Sequence, residues 1–142
     1  MNTAEVVAQL GKLFQTYPQI IAAYLYGSQI SGYNSRKSDL DLAVVIEEEH
    51  IDYKQSLKFS LCSNYRDLYL KVSQIFKGFD LDLRIITLKN SPTFLFQVIK
   101  GQCVYRKSDQ EKLTFETKVL QHFYDSQHIR DIYSHYLRQA FE

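Results

Sequence analysis

The sequence predicts an α/β protein with a small mixed β-sheet flanked by helices. Short apolar runs that suit buried strands alternate with segments whose apolar residues recur every three or four positions, as in amphipathic helices. The chain has 142 residues, of which 45% are hydrophobic, 11 are tyrosine and 9 are phenylalanine. This length and composition predict one globular domain, with a core at about residues 1–106 and a C-terminal helical segment at about residues 108–142.

The first half of the chain alternates helix and strand. Apolar residues at helical spacing follow Thr3 and stop at Pro18, which predicts a first helix. The continuous apolar run over residues 20–26 predicts a buried strand that ends in a tight turn at Gly27. After a polar loop, residues 40–46 predict a second strand.

The second half of the chain repeats this alternation. Its pattern predicts a helix over residues 57–75, a strand over 80–88, a helix from Pro92 and a strand over 103–106. Gly78 and Gly101 follow the two helices, where glycine commonly ends a helix. Ser108 and Glu111 have the spacing of a capping box, which predicts a further helix, and residues 127–141 predict a last helical segment.

Charge and cysteine content exclude several classes of protein. The 17 basic and 16 acidic residues leave a net charge of +1, so we expect no direct binding to nucleic acid. Cys62 and Cys103 are too few for a disulfide framework or a zinc cluster, which predicts reduced thiols. No run approaches 18 apolar residues, and Glu5 stands where a signal peptide would be basic. We therefore predict a cytoplasmic protein without membrane association.

The most informative stretch contains a strand, a Gly-Ser turn, ten further residues and then Asp-x-Asp at the start of a second strand. Gly27 lets the backbone come close to a ligand, and Ser28 adds a hydroxyl donor for phosphate oxygens. Asp39 and Asp41 are two residues apart, so both project from one face of the strand. Such a pair offers the hard oxygen ligands that Mg²⁺ prefers when it also coordinates a triphosphate.

A third carboxylate on a neighbouring strand would complete a site for two metal ions. Asp80 and Asp82 share a face of the third predicted strand, so alternation does not separate them. We prefer Asp82, because it adjoins the apolar run of its strand as the paired aspartates do. In the loop between the first two strands, Arg36 and Lys37 could meet phosphate oxygens, since arginine matches phosphate geometry with two hydrogen bonds.

These motifs resemble the signature of the DNA polymerase β-like nucleotidyltransferase superfamily. More narrowly, the chain is similar over most of its length to the minimal nucleotidyltransferases, which act as antitoxins to HEPN-domain toxins. The resemblance implies a polymerase β-like fold in which Gly27 and Ser28 hold the phosphates of ATP. It also implies that Asp39 and Asp41 bind two magnesium ions and that Asp82 binds the catalytic metal.

The activity implied by the resemblance is transfer of AMP from ATP to a tyrosine hydroxyl of a HEPN-type ribonuclease toxin, which the protein would also bind. One alternative is a nucleotidyltransferase for a small hydroxylated molecule such as an aminoglycoside, although such enzymes usually carry an added helical domain. Another is a non-catalytic antitoxin that acts by occlusion. The aromatic C-terminal segment fits either packing on the sheet or docking of a partner.

Overall fold

The computed structural model describes residues 3–27, 40–47 and 63–141. Its elements are α1 (Thr3–Phe14), β1 (Ile20–Tyr26), β2 (Leu40–Ile46), α2 (Ser63–Ile75), β3 (Leu81–Ile86), α3 (Pro92–Ile99), β4 (Gln102–Arg106) and α4 (Asp109–Phe141). Among the helices in these ranges, none has the length and apolar character needed to cross a membrane.

The four strands form one sheet in the order β3-β2-β1-β4. β2 and β3 are parallel, whereas β1 is antiparallel to both β2 and β4. The sheet is therefore mixed, and the predicted fold class is confirmed. β1 and β2 have the boundaries that their apolar runs predicted, because a buried strand needs apolar residues on both faces and ends where turn residues begin.

Helices cover both faces of the sheet. On one face, α1 and α2 pack against Leu42 and Val44, and these two side chains are fully buried. On the other face, which we call the α3 face, α3 and the first half of α4 pack against Ala43 and Val45. The alternation of β2 between two apolar clusters follows from the period of two in a strand. Side chains at the ends of the strands are thus held at defined positions on one face or the other.

Two predicted strands have different boundaries in the structure. The strand predicted over residues 103–106 begins slightly earlier, because β4 covers Gln102–Arg106. The third strand was predicted over residues 80–88, but β3 covers Leu81–Ile86. It ends there because the Thr87 amide donates to Asn90 Oδ1 at 2.9 Å, which turns the chain away from the sheet. The helix predicted over residues 57–75 is present from Ser63, and its first part lies outside the described residues.

The C-terminal segment is one continuous helix of 33 residues rather than two separate pieces. The predicted cap is present, because Ser108 Oγ accepts a hydrogen bond from the Glu111 amide at 3.1 Å. Neither glycine nor proline interrupts the helix, and Ser126 Oγ donates to the Phe123 carbonyl at 2.9 Å within it. The polar residues at 125–128 therefore lie within α4, where all but Ser126 are exposed, and do not mark a break.

The two halves of α4 have different surroundings. Phe115 and Val119 in the first half are buried against the sheet, whereas every residue from 131 to 140 is exposed. In the folded protein, 63% of the surface of Tyr133 and 68% of that of Tyr136 are accessible to solvent. The first half of the aromatic segment therefore packs on the sheet, and the second half leaves an aromatic surface exposed.

Candidate active site

The C-terminal end of β1 and the N-terminal ends of β2 and β3 lie side by side, and we call this end of the sheet the carboxylate edge. Tyr26, the last residue of β1, pairs with Asp41 near the start of β2, and Asp41 pairs in turn with Asp82 near the start of β3. Paired residues of adjacent strands project from the same face of the sheet. Both carboxylates therefore project from the α3 face at this edge.

Gly27 follows β1 and closes the carboxylate edge against Asp41. Its φ is +92°, a conformation that residues with a side chain rarely adopt. A Cβ atom at this position would lie 2.6 Å from Asp41 Oδ2, closer than carbon and oxygen can approach. The backbone at Gly27 therefore lies directly beside a predicted metal ligand, whereas its contact with the phosphates of ATP stays a prediction.

The structure brings three of the predicted site residues together, namely Gly27, Asp41 and Asp82. The strand register also separates the two candidates for the third carboxylate. Asp82 lies opposite Asp41, whereas Asp80 precedes β3, has an exposed side chain and accepts a hydrogen bond from the Leu40 amide through its backbone carbonyl at 2.7 Å. The other predicted site residues, Ser28, Arg36, Lys37 and Asp39, lie outside the described residues, so their roles stay predictions.

Three side chains that the sequence did not indicate as functional form a line of contacts from Asp82 on the α3 face. Arg84 Nε lies 3.4 Å from Asp82 Oδ2, and the guanidinium carbon lies 5.6 Å from the centre of the Phe94 ring. The Phe94 ring in turn packs edge to face on Tyr26, with centroids 5.7 Å apart. Alternation along β3 had already placed Arg84 on the face of Asp82, but nothing in the spacing linked Phe94 to the strand.

The charges at the edge act on the hydroxyl of Tyr26. Partial burial raises the pKa of this hydroxyl, and the carboxylates of Asp41 and Asp82 act in the same direction. Arg84 acts against them, because a cation favours the ionised phenol. A tyrosine is already protonated at neutral pH, and the raised pKa of Tyr26 preserves its hydroxyl as a hydrogen-bond donor further into the alkaline range.

The donor set at this edge fits a divalent cation that prefers oxygen ligands. Asp41 and Asp82 contribute carboxylates from adjacent strands, and the side chain of Asp82 is 47% exposed, which leaves it accessible to an ion or a nucleotide. No group of three His, Cys, Asp or Glu side chains close enough to hold a metal occurs within residues 3–27, 40–47 and 63–141. The remaining predicted ligand, Asp39, lies outside those ranges.

A separate pocket lies at the far ends of the strands. It is lined by Ile21 at the start of β1, Ile46 at the end of β2, and Phe115 of α4, among other residues. Its lining shares no residue with the carboxylate edge. This pocket, whose lining is both polar and apolar, and the candidate catalytic residues are thus two different features of the fold.

Comparison with known proteins agrees with this geometry. The model of the polymerase beta nucleotidyltransferase family matches residues 8–110. No curated protein matches the chain. Among solved structures, a toxin-antitoxin complex named MntA-HepT is similar, at 17% identity and a TM-score of 0.58 over 98% of this chain and 99% of the other.

Two further solved structures show the same fold. A toxin-antitoxin structure with AMP-PNP has 19% identity and a TM-score of 0.60, covering 96% of this chain and 98% of the other. A mutant of the MntA complex with two Asp→Glu substitutions has 18% identity and a TM-score of 0.61 over the full length of both chains. By its family match, the chain belongs to the polymerase beta nucleotidyltransferases, and it shares the fold of these toxin-antitoxin structures.

Proposed function

We propose that the protein is an antitoxin that transfers AMP from ATP to a tyrosine hydroxyl of a HEPN-type ribonuclease toxin, and that it binds this toxin. The observation that carries the proposal is the register of the carboxylate edge, where Asp41 lies opposite Asp82 and beside Gly27. Family membership supports nucleotidyl transfer. The similar structures, which are toxin-antitoxin complexes and include one with AMP-PNP, support a protein partner and an adenine nucleotide.

In the proposed mechanism, Asp39, Asp41 and Asp82 would hold two magnesium ions together with the phosphates of ATP. Bound ions would lower the pKa of the attacking hydroxyl and neutralise the charge on the leaving pyrophosphate. The tyrosine oxygen forms a bond to the α-phosphorus as the bond to pyrophosphate breaks, and Asp82 assists removal of the hydroxyl proton. Gly27, Ser28, Arg36 and Lys37 are proposed to hold the phosphates, and no covalent intermediate on the protein is required.

The proposed partner-binding surface is an apolar stripe on the second half of α4, which we call the distal stripe. It consists of Ile129, Ile132, Tyr133, Tyr136 and Leu137, whose side chains are 39% to 68% exposed. Their spacing of three and four residues places them on one side of the helix, and Asp131 and Arg138 lie on the opposite side. This pattern is typical of a helix that packs against another protein surface.

The size and position of the distal stripe support a protein substrate. Side chains of this size cover roughly 100 to 200 Å² each, so the stripe offers on the order of 500 Å² toward the roughly 800 Å² per partner of a standard interface. The helix α4 runs in the direction of β1, toward the carboxylate edge. Just before the helix, the Lys107 amide donates to the Ile21 carbonyl near the start of β1, and within the helix Glu116 accepts a hydrogen bond from the Tyr24 hydroxyl, further along the strand. A helical toxin seated on the stripe would thus lie toward the end of the sheet that carries the carboxylates.

The function can be tested with the toxin as substrate, identified as a co-encoded helical protein with an Arg-x4-6-His motif. We expect incubation with ATP and Mg²⁺ to raise its intact mass by one AMP. Asp41→Asn and Asp82→Asn should abolish the shift, whereas Asp80→Asn, a matched change two residues from Asp82, should preserve it. Tight binding without any mass shift would support occlusion instead. Modification of a small hydroxylated molecule alone would support the other alternative.

The partner surface has its own test, which does not depend on catalysis. Tyr136→Asp introduces a charge at the middle of the distal stripe, and Ser134→Asp introduces the same charge on another side of the same turn. We expect Tyr136→Asp to weaken toxin binding in calorimetry by about 100-fold or more, the loss typical of a central interface residue. Equal affinities for the two variants would contradict the proposed surface. A wild-type chain that dimerises in light scattering, and does so no longer after Tyr136→Asp, would identify a second copy as the occupant.

A further inference from the structure

Arg84 occupies a position between the third candidate metal ligand and an aromatic ring. Its Nε faces Asp82 Oδ2 at 3.4 Å, and its guanidinium lies over the Phe94 ring at 5.6 Å. The ring is itself held by its edge-to-face contact with Tyr26. The guanidinium is thus held in place by an aromatic contact and is directed toward the carboxylate edge.

The ion pair between Arg84 and Asp82 contributes little to folding. Their side chains are 55% and 47% exposed, so water and dissolved salt screen the attraction between the two charges. A guanidinium carries five N–H donors in a planar fork, which matches two oxygens of a phosphate group. Arg84 therefore forms only a weak ion pair with Asp82, and its guanidinium could form stronger hydrogen bonds to a phosphate at the same end of the sheet.

We propose that Arg84 is a phosphate-binding residue of the site, a role that rests on the proposed nucleotidyl transfer. Before substrate binds, Arg84 partly neutralises Asp82 and so limits repulsion with Asp41 across the parallel pair. Once Asp82 is engaged by a cation, Arg84 leaves that carboxylate and its guanidinium binds the triphosphate of the nucleotide. Phe94 supports the guanidinium in both positions through its ring face.

This exchange predicts effects of opposite sign on two ligands when the guanidinium is removed. Arg84→Ala deletes a charged donor to phosphate, so the affinity for a non-hydrolysable ATP analogue with Mg²⁺ should fall about 10- to 100-fold. The same change removes the cation that competes for Asp82, so the affinity for Mn²⁺ without nucleotide should rise, by up to about 5-fold. A residue that only supported the shape of the edge would weaken both.

The experiment uses calorimetry for the analogue and electron paramagnetic resonance for Mn²⁺, with no partner protein. Arg106→Ala is the matched control, because Arg106 is also a half-exposed strand arginine paired with an aspartate, Asp109 at 2.9 Å, and its strand end lies away from the carboxylate edge. The control should change neither affinity. Arg84→Lys should recover part of the analogue affinity, since lysine keeps the charge but lacks the planar fork.

Two results would overturn the proposal for Arg84 while leaving the proposed function intact. One is an Arg84→Ala protein that binds the analogue like the wild type. The other is a parallel loss of analogue and Mn²⁺ affinity, which would make Arg84 a structural support of Asp82. Wild-type protein that binds no nucleotide in the presence of Mg²⁺ would instead refute the nucleotidyl transfer, and the role of Arg84 with it. Equal thermal unfolding temperatures of the Arg84→Ala and Arg106→Ala proteins would exclude misfolding as the cause.

Discussion

Replacement of Gly27 by alanine should have two effects: a loss of stability from backbone strain, and a loss of activity from displacement of the Asp41 carboxylate. A matched control can separate them. The chain provides a matched control, because Gly27 and Gly78 both have a φ of +92°. A Cβ at Gly78 meets no atom within 4 Å among the described residues, whereas a Cβ at Gly27 would lie 2.6 Å from Asp41 Oδ2. The two substitutions share the backbone strain and differ in the contact with Asp41.

The magnitudes follow from this difference. Alanine in a left-handed conformation costs roughly 1 to 2 kcal/mol, so both variants should lose that much stability, on the order of 5 °C in Tm. The clash at Gly27 involves the end of a side chain, which can rotate away, so it should add little further loss of stability. Rotation moves the carboxylate out of register with Asp82, however. A displacement of about 1 Å at a reacting centre reduces the rate about 100-fold.

We therefore expect Gly27→Ala to transfer AMP at least about 100-fold more slowly than Gly78→Ala, with nearly equal unfolding midpoints in urea. The rate is measured by intact mass of the toxin over time, below the unfolding temperature of both variants. Equal rates for the two variants would refute the argument that Gly27 exists to make room for Asp41. A much larger loss of stability in Gly27→Ala would show that the side chain of Asp41 cannot rotate.

Two other predictions concern the fold. Tyr24 donates a hydrogen bond to Glu116 Oε1 at 2.8 Å, and burial together with this bond raises the pKa of its hydroxyl. Because the unfolded tyrosine ionises near its ordinary value of about 10, the stability from protonated Tyr24 is present below that pH and falls above it by about 1.4 kcal/mol per pH unit. Tyr24→Phe should lose about 1 kcal/mol at pH 7 and show a shallower alkaline decline in urea titrations; parallel declines would contradict this. Leu95→Ala, at a fully buried position, should cost about 2 to 5 kcal/mol, whereas Leu113→Ala, where the leucine is 66% exposed, should change thermal stability by less than about 0.5 kcal/mol.

The strands and most helices could be predicted because local chemistry determines them. The apolar run of β1 ends at a glycine with positive φ, and the helix α3 begins at Pro92, which occupies a first-turn position where no amide donor is needed. A C-terminal helical segment was predicted, but its continuity was not, because polar residues on the exposed side of a helix and polar residues in a loop look alike in sequence.

The sequence could predict which residue types form the candidate site, but it could not predict how those residues are arranged in space. Alternation places Asp80 and Asp82 on the same face, and the register that sets Asp82 opposite Asp41 depends on pairing between strands about 40 residues apart in sequence. Contact between Arg84 and Phe94 was not predictable either, because it depends on how α3 crosses back over the sheet after the turn at Asn90. Tertiary packing, which no local pattern encodes, thus determines the neighbours of each carboxylate.

The central position of β1 has a consequence for the order of folding during synthesis. β1 pairs with β2, which follows it closely, and also with β4, where Ala22 lies opposite Arg106. One side of β1 therefore stays unpaired until β4 has been synthesised, and such non-local pairing slows folding. The three strands of the carboxylate edge are synthesised before the sheet can close. The distal stripe of α4 leaves the ribosome after β4. Its apolar side chains therefore become exposed to solvent only when all four strands of the sheet that anchors the helix have been synthesised.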